Sequence, residues 1–193
     1  MNVATPPPDV LAHQRRIKVE EYHRMITAGI LGEDERVQLI DGVLVAMTPQ
    51  GPAHALAIQR LTRVLIQAVG EAFEVRPQLP LTLQQDSEPE PDLAVVRAEE
   101  ARSRKRHPGT ALLVIEVAGE SLRLDRGSKA AVYARAGIPE YWIVNLAEAR
   151  VEVHRDPDRA AGFYRTTLSR APGETVSAAS VPGIRVEVAS LFA

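Results

Sequence analysis

An aspartate opens one apolar run of this chain, a glutamate nearly closes the next, and a lysine follows thirteen residues later. The runs are Pro91-Asp92-Leu93-Ala94-Val95-Val96 and Leu112-Leu113-Val114-Ile115-Glu116-Val117. Paired antiparallel as strands, they bring the start of one beside the end of the other, so Asp92 and Glu116 meet at one edge of a buried sheet. A carboxylate in such a run is costly unless it is paired or ligates a cation. Two neighbouring carboxylates also repel unless a proton or a metal lies between them. Alone, each acid reads first as the marker of a strand end. Together they form a ligand set of hard oxygens, which selects Mg²⁺, Mn²⁺ or Ca²⁺ over zinc.

Lys129 falls on a helix predicted over 126–136, on one face with Val132, Tyr133 and Ala136. That face is apolar and is expected to meet the sheet, so the lysine is aimed inward. By itself it reads as a side chain snorkelling along a core edge. Beside two carboxylates it gains a chemical role: orienting or deprotonating an attacking water and neutralising a phosphoryl group. The combination suits a divalent-metal phosphodiesterase.

The elements that must position these residues are legible along the chain. Residues 1–16, with three consecutive prolines, read as an N-terminal arm, and 17–193 as a single domain. Val19 to Ala28 is a short amphipathic helix ended by Gly29. Asp41-Gly42 between two apolar runs predicts a hairpin. A long helix is expected from Pro52 to Val69, then strands at Phe73–Arg76, Leu79–Leu83, Asp92–Val96 and Leu112–Val117. Asp125 is the candidate N-cap of the helix carrying Lys129, and Gly137 with Pro139 closes it. Tyr141–Val144 and Val151–His154 are neighbouring strands, and the tail offers short strands with turns at Pro172-Gly173 and Pro182-Gly183. The fold class is α/β with a mixed sheet and flanking helices.

Composition narrows the function. With 193 residues, 45% hydrophobic and 25% charged, the chain can build a sizeable core. Its formal net charge of −2 gives no overall basic field for nucleic acid. The one dense basic cluster is Arg102-Ser103-Arg104-Lys105-Arg106-His107, a solvated loop or a phosphate-tracking one. The absence of cysteine removes disulfides, thiol nucleophiles and thiolate zinc sites, and suits a reducing cytosol. No signal peptide and no membrane span is expected, which makes a cytoplasmic location the default.

The stretch from Leu113 to Val117, then Ser121 to Lys129, then Tyr133-Ala134-Arg135-Ala136-Gly137-Ile138-Pro139-Glu140-Tyr141-Trp142-Ile143-Val144 resembles one bacterial family. It is a family of restriction-endonuclease domains within the PD-(D/E)xK superfamily, long filed as a domain of unknown function. The likeness extends from Val19-Glu20-Glu21-Tyr22 to Leu191-Phe192 and includes Gln38-Leu39-Ile40-Asp41-Gly42 and Gly51-Pro52-Ala53-His54. It implies a restriction-endonuclease-like PD-(D/E)xK core. Pro91-Asp92 is then the PD pair and Glu116 the second acid. Two positions further stands Ala118 in place of the consensus lysine, and Lys129 on the following helix supplies the ammonium instead.

By the same resemblance, Asp92, Glu116 and the backbone carbonyl of Val117 hold Mg²⁺ or Mn²⁺, and the substrate is DNA. Gln38 stands where the family usually has glutamate, so it brings a hydrogen-bond acceptor without charge. That lowers metal affinity or leaves the site with fewer ions. Two alternatives follow: a module that grips nucleic acid or a partner without turnover, and a hydrolase of a small phosphoester. Double-strand cutting implies a homodimer. His54 reads first as a helix-start contact and second as a contact to phosphate or a metal-bound water, while Ser121 and Arg123 read equally as phosphate contacts or plain loop. Glu140 has no assigned chemistry.

Overall fold

A computed structural model describes residues 13–32 and 34–193. Most of the expected N-terminal arm lies outside the described residues. Helix α1 (Val19–Thr27) buries Val19 and Tyr22 against the first hairpin. Strands β1 (Val37–Ile40) and β2 (Val43–Ala46) pair around Asp41-Gly42 as expected. Both turn residues have positive φ, +48° at Asp41 and +72° at Gly42, as a two-residue hairpin turn requires. Gly42 has a second reason to be glycine: a Cβ there would sit 2.6 Å from the Cβ of Arg16.

Helix α2 (Pro52–Ala68) opens on a proline at its first turn and buries Ala57, Ile58, Leu61 and Leu65 along one face. Six strands make the main sheet: β3 (Phe73–Pro77), β4 (Leu93–Arg97), β5 (Leu113–Ala118), β6 (Glu140–Asn145), β7 (Arg150–Asp158) and β8 (Phe163–Arg170), in that spatial order. Among these six strands β5 and β6 run parallel, and the other neighbours pair antiparallel. Parallel neighbours need a crossover, and here it is the helical segment α3, residues 122–136. A small hairpin of β9 (Thr175–Ser177) and β10 (Arg185–Glu187) follows.

The two-residue period of the strands sorts the core into two layers. Leu93, Val95, Leu113, Ile115, Val117, Trp142 and Val144 face α2 and the C-terminal hairpin. Ala94, Val96, Val114, Ala118 and Ile143 face α3, with Leu81, Leu83 and Tyr133 packed on them. Glu116 alternates with Val114 and Ala118, so the pleat directs it to the α3 side.

Two expected elements differ. Leu79–Leu83 is no strand. Leu81 and Leu83 are buried, but the backbone N–H groups of Leu81, Thr82 and Leu83 go to Pro89, Pro108 and Ser87 in turn, so no single partner strand exists. The helix carrying Lys129 begins earlier than expected. It has a turn at Leu122–Leu124, a π segment at Asp125–Lys129 and an α segment at Ala130–Ala136, closed by Gly137 at φ +78°. Asp125 is therefore inside the helix and is not its N-cap.

Candidate active site

Strands β4 and β5 pair antiparallel with Leu93 opposite Ile115. One step further along the same register, Asp92 falls opposite Glu116, the juxtaposition the two apolar runs predict. Asp92 Oδ2 accepts the backbone N–H of Val117 at 2.7 Å. Its other neighbour is His54, from the first turn of α2, whose Nε2 stands 3.2 Å from the same oxygen. Burial works against the His54 imidazolium, yet Asp92 and the Val117 carbonyl outweigh it and raise its pKa.

Lys129 reaches Glu116 across the crossover, with Nζ donating to Oε1 at 2.8 Å. The same oxygen accepts the Tyr133 hydroxyl at 2.7 Å. Tyr133 lies one turn beyond Lys129 on its inward face, and Asp125 lies one turn before it, with Oδ1 3.7 Å from Nζ. Ser121 holds the other Asp125 oxygen at 2.6 Å. The π segment thus carries Asp125 and Lys129 side by side, both buried. Such widened turns recur at functional sites.

Acids outnumber cations in this cluster, and their pKa values register it. Burial raises Glu116 to about 7; Lys129 opposes the shift, while Asp125 and Asp92 add to it. Burial also raises Asp125, again against Lys129. Lys129 itself is penalised by burial, but Glu116 and Asp125 prevail and hold its pKa above the ordinary lysine value. The raised pKa favours the ammonium form, which suits an orienting cation.

Asp92, Glu116 and Lys129 form the floor of a cleft of about 540 Å³. One wall is the first hairpin with Arg36 and Gln38; another is the segment Ala46–His54; a third holds Gly119, Glu120, Ser121, Leu124 and Leu146. Gln38 is buried, and its Oε1 accepts the backbone N–H of Glu90 at 3.2 Å. Glu90 also lines the cleft, and burial raises its pKa against the pull of Arg36 and Lys129.

The donor chemistry fits a hard divalent cation. The carboxylates are under-compensated, and Asp125 Oδ1 and His54 Nδ1 are buried without a hydrogen-bond partner. Among the described residues, no three acidic or imidazole side chains are already drawn together as a cation cage.

Other sequence candidates fall elsewhere. The basic cluster 102–107 joins the end of β4 to the start of β5, whereas Asp92 precedes β4 and Glu116 lies near the end of β5. The cluster therefore sits at the far end of these strands, roughly 17 Å away. Arg123 is exposed beside Leu124. Glu140 is a structural clamp: its carboxylate accepts from Trp142 Nε1, Arg155, and the backbone N–H groups of Ala179 and Ser180. Sequence reasoning missed Asp125, Tyr133 and Glu90 as members of the site. The first two were detectable, since each is four residues from Lys129 on one helix face.

No match was found among curated proteins. Among solved structures, one described as "a putative nuclease belonging to DUF820 from Anabaena variabilis ATCC 29413" superposes with a TM-score of 0.71 at 18% identity. The match covers 91% of this chain and 97% of that one. It establishes the fold, a mixed central sheet with flanking helices of the restriction-endonuclease-like kind. The Uma2 family model, described as "Putative restriction endonuclease", matches residues 19–189, and the chain belongs to that family.

Proposed function

We propose that the protein is a divalent-metal-dependent nuclease hydrolysing DNA phosphodiester bonds at the cleft floored by Asp92, Glu116 and Lys129. The observation that carries this reading is the buried Lys129–Glu116 pair at 2.8 Å, with Glu116 opposite Asp92 in the strand register. A buried ion pair is no efficient stabiliser of a fold, so its presence at the floor of a cleft calls for another reason.

Asp92, Glu116 and the Val117 carbonyl would hold Mg²⁺ or Mn²⁺. When bound, such an ion polarises the phosphoryl group and makes water a better nucleophile. The chain's own groups do the rest. Lys129 donates to the incoming water and offsets charge building on the phosphoryl oxygens. Tyr133 keeps Glu116 in place, and Asp125 keeps Lys129 there. His54 holds Asp92 through Nε2 at 3.2 Å.

Gln38 does not remove the acidic character of the cleft, because Glu90 lies in the same wall. That favours a working site over a disabled one. The test is hydrolysis of a labelled oligonucleotide in Mg²⁺, in Mn²⁺ and in chelator. Activity in metal alone, lost in Asp92→Ala with the fold retained, supports the reading; activity unchanged by Asp92→Ala contradicts it.

A further inference from the structure

We propose that the cleft receives a single unpaired nucleotide, so that the substrate is single-stranded DNA or a frayed strand end in preference to intact duplex. The inference rests on the nuclease reading of the same site. It begins from what surrounds the floor. Met47, Pro49, Pro52, Leu124 and Leu146 give the cleft apolar walls around its charged base. Its volume of about 540 Å³ is in the class that encloses one small molecule, about 300–1,000 Å³. An extended face for a double helix is a different kind of surface.

Charge points the same way. Duplex binding rests on several lysines or arginines that meet successive phosphates. Among the described residues lining this cleft, Arg36 and Lys129 are the only two lysine or arginine side chains, and Lys129 is already held by Glu116. Glu90 and Glu120 stand in the walls beside them. Near Leu146, Arg126 is bound through two nitrogens to Glu152 and lies 3.5 Å from Glu148, which also pairs with Arg150. The basic charge there is already paired with Glu152 and Glu148. The dense cluster 102–107 is at the other end of the strands.

An unpaired nucleotide needs less. One phosphodiester must reach the floor, and one base must leave water for an apolar wall. Bases lack a required partner in a single strand, so entry of one into the cleft costs no base pair. Met47 is half-buried in the loop after β2 and offers a polarisable face to a base.

The experiment measures binding and cleavage of a labelled 12-nucleotide strand and of its duplex, with full-length protein. Binding is followed by anisotropy in Ca²⁺, and cleavage in Mn²⁺. The single strand is expected to bind and to be cut at least about tenfold better, with a log–log salt slope no steeper than about −2. Met47→Ala is expected to weaken single-strand binding several-fold, and Met47→Trp to tighten it through stacking. Duplex cut as well as or better than single strand would overturn the proposal and leave the nuclease reading standing. Binding unmoved by both Met47 substitutions would also overturn it. Failure to bind or cut either form would overturn both.

Discussion

The side-chain oxygen of Gln38 accepts the backbone N–H of Glu90, which ties the first hairpin to the segment carrying Asp92. A glutamate at position 38 keeps an acceptor there and adds charge to a wall already holding Glu90. Ligand charge is a main control of divalent-cation affinity. Gln38→Glu should therefore tighten Mn²⁺ binding by roughly fivefold in calorimetry. Gln38→Ala removes the hydrogen bond and should lower stability by about 1 kcal/mol in denaturant unfolding.

Glu116 makes the metal-free protein pH-sensitive. Its folded pKa of about 7 lies above the ordinary 4.5, so burying it is tolerated best when it is protonated. Its contribution is fully present below pH 4.5 and is lost as pH rises through 7. Lys129, raised above 10.5, keeps its own contribution throughout that window. The melting temperature without metal should fall from pH 5 to pH 8, by a free energy of at most about 3 kcal/mol. Glu116→Gln should flatten the fall, and saturating Mg²⁺ should reduce it.

Tyr133 shares Glu116 Oε1 with Lys129, so it acts on the chemistry through Glu116. Tyr133→Phe removes one hydrogen bond of about 1 kcal/mol while keeping the ring that packs on Tyr141. Turnover should drop by about tenfold, in line with a catalytic carboxylate left free to turn. Mn²⁺ affinity should drop with it. Loss of stability with unchanged metal affinity would make Tyr133 purely structural.

Gly42 is fixed by its φ of +72° and by the approach of Arg16. Gly42→Ala should cost more than about 1 kcal/mol. Asp41, beside it, receives Arg135 Nη2 through both carboxylate oxygens, which links the hairpin wall to α3. Urea unfolding of Gly42→Ala and Asp41→Ala would measure both effects. Thus the Asp41-Gly42 pair serves the shape of the cleft and contributes nothing to its chemistry.

Much of this site was readable because short-range rules govern it. Antiparallel pairing of two apolar runs sets Asp92 against Glu116, and helical spacing turns Lys129 inward with Tyr133. The Asp41-Gly42 turn follows from local chemistry alone. What escaped depends on tertiary context. Asp125 looked like a cap because nothing in the sequence marks a π segment. Leu79–Leu83 has the alternation of a strand, yet its N–H groups find partners in three separate places. Glu90 belongs to a proline-flanked stretch whose path is set by Gln38, from 52 residues earlier. The remoteness of the basic cluster required knowing which ends of β4 and β5 lie together.

The most direct test of the central claim is cleavage of circular single-stranded DNA, with supercoiled plasmid beside it, by purified protein in Mg²⁺ and in Mn²⁺ at low salt. Asp92→Ala and Lys129→Ala proteins run beside the parent, with folding verified by circular dichroism. The account predicts metal-dependent cleavage by the parent, faster on the single strand, that both substitutions abolish. Cleavage that survives either substitution, or a parent that binds the metal and leaves every DNA intact, would contradict it.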